Sequence, residues 1–311
     1  MKLESGKYYC TMLPEQYVKA VVPGIQEDLT RSGNRLPPKC AKPLSENYAT
    51  WQEDSPELMV DGVQQYQEII IHLRWAIYIG RLDILLETFL LLIYMTMPRV
   101  RHLEKAFHVF GYLKAHPKRK LGFDPDYLAI NKNRFQQCEW VDFYRDSQEE
   151  IPGNIPVVRG NFMSAHCFIA ADHAGDTETR LSHTSILFFF NSAPIIWFRK
   201  RQNSVETSTF RSYFTAMNNA VERIEALRYK LRMFWVPIYG SKDNFCDNGA
   251  VCVNTTLTEL TMYKKHISIA YHCKQEAVVA GTFRVSKEHT KTTLADMLTN
   301  TMAAPNREGL L

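Results

Sequence analysis

The sequence predicts an α/β protein: a five-stranded mixed sheet with flanking helices, preceded by a small helical unit. Three observations support this prediction. Between residues 162 and 302, apolar strand-like segments and amphipathic helical segments follow one another. One acid, Asp247, stands at the end of a short apolar strand, and another, Asp296, falls in the last predicted helix. Upstream, between Gly62 and Leu113, apolar residues recur at helical spacing.

The composition is that of a globular protein. A chain of 311 residues is long enough for two domains, and 45% apolar and 23% charged residues are ordinary values. The net charge of +4 is compatible with nucleic acid without requiring it. The most apolar run, Ile84 to Met97, is shorter than the roughly 20 residues of a bilayer span, so we expect no membrane partner.

The cysteines and the N-terminus indicate an intracellular protein. The first residues lack a secretory signal pattern, and the seven cysteines form no Cys-x-x-Cys pair. A zinc site is the alternative interpretation of four residues, Cys246, Cys252, His266 and His272. The gap within each pair is wider than in most structural zinc sites, so we favour buried thiols and surface histidines.

The N-terminal half is predicted in three parts. Residues 1–55 contain many prolines and no sustained period, which indicates a connector or the remnant of a larger domain. Residues 56–145 form a helical region with three apolar stripes, and an acidic Pro/Gly-rich linker follows at 146–160. The basic end of the third helix has two open interpretations, a nucleic-acid contact or a solvated helix end: Lys114, Lys118, Arg119 and Lys120.

The sheet domain is predicted at 161–303, with a tail at 304–311. Its elements are three strands (165–171, 185–190 and 195–199), a long helix through Phe210 and Leu231, a strand at 243–247, a helix at 257–280, a strand at 282–285 and a helix from Thr293. Short strand-like pieces also occur at 121–123 and 139–143. Together with the acids, this order is similar to that of RNase H-like domains.

A series of motifs resembles the end of a copia-type retrotransposon polyprotein. In the helical region the motifs are Leu73-Arg74-Trp75, Gly80-Arg81-Leu82-Asp83-Ile84, His102-Leu103-Glu104 and Tyr112-Leu113-Lys114. In the second half they are Ala171-Asp172-His173-Ala174-Gly175-Asp176, Ala193-Pro194-Ile195-Ile196-Trp197-Phe198 and the run from Lys200 to Phe210. The resemblance implies the connection of a reverse transcriptase followed by a ribonuclease H domain. Its partners would be an RNA–DNA hybrid or other nucleic acid and further parts of the polyprotein.

The resemblance also implies two-metal hydrolysis of RNA with Mg²⁺ or Mn²⁺, which needs several converging carboxylates. Of the four acids in the family pattern, Asp247 and Asp296 match the third and fourth. The first is replaced by Ala170 and the second by Tyr213. We therefore expect a degenerate, inactive copy in which the two retained acids hold at most one ion weakly.

Two neighbouring acids are candidates for replacing the lost ones. Asp172 lies two residues past Ala170 on the same strand face, displaced by about 6–7 Å. Glu206 precedes Tyr213 by about two helical turns, or roughly 10 Å. We expect neither to substitute. Arg211 adds a positive charge beside the vacated position, where it opposes a metal or grips a phosphate, although a solvated helix charge is the favoured interpretation.

The resemblance places a nucleic-acid-binding surface on six residues: Arg201, Asn248, Lys264, Lys265, His266 and His272. A merely solvated basic helix is the alternative. The chain has no adjacent Asp-Asp pair, so no polymerase site is expected. Three hypotheses follow: an inactive relic, a nucleic-acid-binding or interaction module, and a nuclease with a rearranged site that Asp172 or another acid enters. Arg199 and Trp235 replace small residues of the family, so we expect reduced stability.

Overall fold

A computed structural model describes residues 9–31, 33–44, 54–127, 130–135, 144, 147–176, 178–238, 240–257, 268–289 and 293–299. The chain divides into two compact units, of which unit 1 extends to Phe123 and unit 2 runs from Asp124 to Thr299. The predicted linker at 146–160 lies inside unit 2. Within the described ranges, no helix is long and apolar enough to cross a membrane.

Unit 1 contains the three predicted helices. Its elements are β1 (Cys10–Met12), α1 (Glu15–Arg31), α2 (Val60–Tyr78), a 3₁₀ turn (Leu82–Ile84), α3 (Leu85–Leu92), α4 (Val100–Ala115) and β2 (Leu121–Phe123). Strands β1 and β2 pair antiparallel. The Gly-Arg-x-Asp-Ile motif forms a buried ion pair, in which Arg81 Nη2 lies 2.8 Å from Asp83 Oδ2.

Helix α1 corrects the prediction of an aperiodic connector at 1–55. Its buried stripe of Val18, Val22, Ile25 and Leu29 has helical spacing, and α1 packs against α2 and α4. Pro23 lies inside the helix, where it removes one backbone donor. Burial of the apolar stripe outweighs the cost of the lost hydrogen bond. The prolines of this segment obscure the helical period in the sequence.

Unit 2 is built on the predicted five-stranded mixed sheet. Its elements are β3 (Ala165–Asp172), β4 (His183–Phe190), β5 (Ala193–Arg201), α5 (Thr209–Met233), β6 (Lys242–Cys246), α6 (Gly249–Thr256), α7 (Ser268–Val279) and β7 (Phe283–Lys287). The strand order is β5-β4-β3-β6-β7. Strand β4 is antiparallel to β3 and β5, whereas β3, β6 and β7 are parallel. This topology is that of an RNase H-like sheet.

Two helical predictions differ from the structure. Leu257, the predicted start of a helix at 257–280, instead ends α6 in an extended conformation. Residues 258–267 of that prediction lie outside the described residues, and α7 covers Ser268–Val279. The last predicted helix is a short 3₁₀ helix at Leu294–Leu298. The strand-like piece at 139–143 lies outside the described residues.

The alternation of β3 separates the two faces of the sheet. Cys167, Ile169 and Ala171 belong to the core that α5 covers. Phe168 faces the other way and stacks on Phe245 of β6, with ring centroids 5.1 Å apart. The C-terminal 3₁₀ helix contacts β3 and β4. The two acid-bearing segments are therefore both anchored next to β3.

Candidate active site

Ala170 and Asp247 are neighbours at one edge of the sheet. In the parallel pairing of β3 and β6, Ile169 lies opposite Cys246. Ala170 and Asp247 directly follow these two residues, so we expect them one strand spacing, or about 4.8 Å, apart. Ala170 is fully buried. A carboxylate at position 170 would stand beside Asp247, and the methyl group of Ala170 contributes no ligand atom there.

Tyr213 reaches the same place from α5. Its side chain is buried, and its hydroxyl donates a hydrogen bond to Asp247 Oδ2 at 3.2 Å. Burial and the nearby carboxylates of Asp247 and Asp296 raise the pKa of the Tyr213 phenol, so it keeps its proton and remains a donor. Tyr213 therefore occupies one carboxylate oxygen of Asp247.

Asp296 is buried in the C-terminal 3₁₀ helix and lies within the electrostatic field of Asp247. Burial and the charge of Asp247 raise the pKa of the Asp296 carboxyl to about 7. Burial also raises the pKa of Asp247, although the hydrogen bond from Tyr213 and the charge of Lys287 oppose this effect. The two acids are therefore close enough for the charge of Asp247 to act on Asp296.

These residues do not fit a pair of divalent ions. Asp247 Oδ1 and Asp296 Oδ2 are buried and have no hydrogen-bond partner among the described residues, so two acceptor oxygens are left over. Two-ion sites need carboxylates from several elements. The described part of the chain contains no group of three or more His, Cys, Asp or Glu residues able to hold a metal ion.

Asp172 has other partners. Its Oδ2 lies 2.9 Å from His183 Nδ1 and 3.6 Å from Arg199 Nη2, and the backbone amide of His183 donates to Oδ1. Arg199 is buried, as is His183. The ion pair gives Arg199 a role that the sequence did not indicate. These contacts hold Asp172 on the β4 side of β3, whereas Asp247 lies on the β6 side.

Glu206 and Arg211 are paired with each other. Arg211 Nε lies 3.3 Å from Glu206 Oε2, and its Nη1 donates to Thr207 Oγ1. The charge of Arg211 is thus balanced locally and is not the solvated charge that was favoured from the sequence. Glu206 also accepts hydrogen bonds from Ser204 and Thr215.

The predicted nucleic-acid-binding residues are distributed over several elements. Arg201 ends β5 and pairs with Asp176 at 2.9 Å. Asn248 caps α6 by accepting from the Val251 amide. His272 is exposed on α7 and contacts the Tyr144 hydroxyl. Lys264, Lys265 and His266 lie outside the described residues, so the structure does not place them.

The two cysteines of the zinc alternative are buried thiols. Cys252 Sγ donates to the Cys246 carbonyl at 3.6 Å, and both cysteines are free. His272 lies on α7, and its contact is with Tyr144. His266 falls outside the described residues.

Lys287 is the residue at this site that the sequence analysis missed. It pairs with Cys246 in the parallel register of β6 and β7, and its charge acts on Asp247. Its side chain also lies against Gly249, where a Cβ would stand 3.3 Å from Lys287 Cδ. Its position at the end of the last strand could have placed Lys287 near Asp247 from the sequence, since the carboxyl ends of parallel strands lie at one edge of a sheet.

The Pol polyprotein encoded by transposon RE2 of Arabidopsis thaliana is 28% identical to this chain over 148 residues, and that of transposon TNT 1-94 of Nicotiana tabacum is 30% identical over 152 residues. Over these stretches the chain is similar to retrovirus-related Pol polyproteins of transposons. Each match covers 47% of the chain and 10% of the relative, so the chain spans about a tenth of the length of these curated relatives. No protein-family model matches.

Among solved structures, the chain is similar to RNase H domains. The N-terminal RNase H domain of a Mycobacterium tuberculosis protein gives a TM-score of 0.33 at 9% identity, over 48% of this chain and 99% of that one. RNase H1 of Halobacterium salinarum gives 0.32 at 8% identity, over 44% and 94%. The RNase H-like fold of unit 2 rests on its strand order, β5-β4-β3-β6-β7, with β4 antiparallel to its neighbours.

Proposed function

We propose that unit 2 binds nucleic acid through its RNase H-like fold and does not hydrolyse RNA–DNA hybrids. The contact between Tyr213 and Asp247 carries this proposal. A phenol stands where the family pattern has its second acid, and it donates to one of the two acids that remain. Ala170, beside Asp247 in the parallel register, supplies no oxygen ligand.

The geometry also argues against a nuclease rearranged around Asp172. Such a nuclease would need Asp172 to turn from His183 and Arg199 towards Asp247. That movement would leave the buried guanidinium of Arg199 without this carboxylate, and removing one member of a buried ion pair typically costs about 3–5 kcal/mol. Asp172 therefore supports the sheet instead of serving as a replacement ligand.

Cleavage of a labelled RNA–DNA hybrid in Mg²⁺ and in Mn²⁺ tests the hydrolytic part. We expect the native chain to be inert and the double variant Ala170→Asp/Tyr213→Glu to cut. Adding Asp247→Asn to the double variant is the matched control and should abolish cleavage. Cleavage by the native chain that disappears in Asp247→Asn would show that the site is active as it stands.

Binding of the same hybrid, followed by fluorescence anisotropy at several salt concentrations, tests the other part. We expect an affinity that falls as salt rises, because bound phosphates release counterions. An unchanged anisotropy at about 50 mM salt, a concentration at which phosphate contacts are strong, would contradict nucleic-acid binding. Duplex DNA of the same length is the matched ligand for comparison.

A further inference from the structure

An open cleft of about 280 Å³ lies in unit 2 between the end of β5 and helix α5. Its volume is close to the lower limit of small-molecule sites, roughly 300 Å³. Its lining comes from β4, β5, the following loop and α5: Thr184, Phe198, Lys200, Arg201, Gln202, Asn203, Ser204, Thr215, Asn218 and Asn219. Nine of these ten residues are polar or charged, so the cleft is suited to a hydrogen-bonding ligand.

The charge of the lining favours an anion. Lys200 and Arg201 are cationic, and no carboxylate side chain is among the lining residues. Within the described ranges, Nη1 is the one guanidinium nitrogen of Arg201 that is paired, with Asp176 at 2.9 Å. The exposed side chains of Lys200 and Asn203 have no hydrogen-bond or ion-pair partner in the described part of the chain. A lysine ammonium, a guanidinium edge and amide donors are the groups that bind phosphate oxygens in proteins.

The backbone beneath these donors is held in place by Gln202. This side chain is buried, and its Nε2 donates to Thr184 Oγ1 at 3.0 Å and to the Ser212 carbonyl at 2.9 Å. The backbone amide of Gln202 also donates to the backbone carbonyl of Ser182. The end of β5 and the following residues, which carry Lys200, Arg201 and Asn203, are thus tied to both β4 and α5, so their backbone is held in place before a ligand arrives.

The cleft opens at the same edge of the sheet as Asp247. Strand β5 is antiparallel to β4, which is antiparallel to β3, so β5 runs in the same direction as β3 and β6. Arg201 is the last residue of β5 and Asp247 follows the last residue of β6, so both lie at the carboxyl ends of their strands. Three strand spacings separate them, or about 14 Å, which a strand of a few nucleotides spans.

We propose that this cleft binds a phosphate group of a nucleic-acid strand lying along that edge of unit 2. Lys200 supplies the point charge, Arg201 the guanidinium edge and Asn203 an amide donor. The proposal rests on the nucleic-acid-binding function proposed above. A free phosphate anion presents the same oxygens, so the experiment must separate the two sources.

The test compares the native full-length chain with Lys200→Gln and with Lys230→Gln, a matched loss of an exposed lysine at the other end of α5. Each is titrated with inorganic pyrophosphate and with a labelled RNA–DNA hybrid across a salt series. We expect Lys200→Gln to weaken hybrid binding about three- to tenfold and to lower the salt slope by about one, as the loss of one phosphate contact does. Lys230→Gln should change neither.

Each outcome decides the proposal. Equal effects of the two variants, or hybrid binding that Lys200→Gln leaves unchanged, would overturn the cleft while leaving nucleic-acid binding in place. Pyrophosphate binding that depends on Lys200, with no binding of the hybrid, would overturn the nucleic-acid source and the proposed function together. Asn203→Ala is the second variant, and a weaker hybrid affinity in it would support the cleft independently of charge. Circular dichroism verifies that all variants are folded.

Discussion

The hydroxyl of Tyr213 lies 3.2 Å from Oδ2 of Asp247 and donates a hydrogen bond to it, joining α5 to the end of β6. This contact converts part of a candidate hydrolytic site into a structural one. Asp247 keeps one oxygen without a partner among the described residues, and its neighbour Asp296 keeps another. The site is therefore polar and buried, and Tyr213 stabilises one of its two acids.

Tyr213→Phe should destabilise the protein by about 1–2 kcal/mol, because it leaves Asp247 Oδ2 buried without its donor. Urea unfolding at pH 7 measures the change. Tyr229→Phe is the matched control, since Tyr229 is half-exposed on the same helix and should tolerate the loss of its hydroxyl. Equal stabilities of the native chain and Tyr213→Phe would show that the hydrogen bond contributes nothing.

Lys274→Met should stabilise the protein at pH 7. Lys274 is fully buried on α7, its Nζ lies 2.9 Å from the centre of the Phe214 ring, and burial lowers its pKa to about 6. Between that pKa and about 10.4, the value of an exposed lysine, the unfolded chain binds one more proton than the folded chain. The stability of the native chain therefore rises with pH over this window, by up to about 1.4 kcal/mol per pH unit.

In Lys274→Met this pH dependence of stability should disappear. The stability advantage of the variant over the native chain therefore shrinks as the pH approaches 10. Chemical denaturation at pH 7, 8 and 9 provides the comparison, with Lys230→Met as the control for an exposed lysine of α5. A Lys274→Met protein less stable than the native chain at pH 7 would show that the ammonium is well solvated or paired in the fold.

Glu149→Gln should lower stability at pH 7 by on the order of 2 kcal/mol, a value discounted for partial solvent screening. Burial tends to raise the pKa of Glu149, but Arg228 and Arg232 outweigh it and lower the pKa to about 2. Because the folded pKa is depressed, this stabilisation is present above about 4.3, the value of an exposed glutamate, and is lost as the pH falls towards 2.

The difference between the native chain and Glu149→Gln should therefore vanish in strong acid, which stability measurements from pH 7 down to pH 2 follow. Glu150→Gln removes the adjacent exposed carboxylate and should have little effect at any pH. A difference that persists unchanged at pH 2 would mean that Glu149 acts through packing and not through its charge.

Trp235→Gly should stabilise the protein by about 1 kcal/mol. Trp235 follows the last residues of α5 with φ at +60°, in the left-handed region that favours glycine. The backbone amides of Trp235 and Val236 donate to the carbonyls of Arg232 and Leu231, a helix-ending pattern that usually has glycine at this position. A thermal melt measures the gain, and a lower melting temperature would show that the exposed indole contributes more than the strain costs.

Much of the fold was accessible from the sequence. The short apolar runs of β3, β4 and β5 and the apolar stripe of α5 predicted those elements, because buried segments carry apolar residues at a density or spacing that can be counted. Helix α1 was missed because Pro23 interrupts the local signal, although Val18 and Val22 continue the stripe. Helix α6 was missed, although Asn248, which caps its first turn, is of a residue type that favours helix N-caps.

By itself, the sequence determined which residues stand at positions 170, 213, 247 and 296, since these are matters of residue identity and order. Through the family resemblance it also predicts that Asp247 and Asp296 are retained acids and that Ala170 and Tyr213 replace two others. The tertiary structure alone decided what the replacements do. It places the Tyr213 hydroxyl on Asp247, binds Asp172 to His183 and Arg199, and brings the charge of Lys287 to the site. These contacts join residues that are distant in the chain, and a hydrogen bond depends on positions that only the packed sheet and helix define.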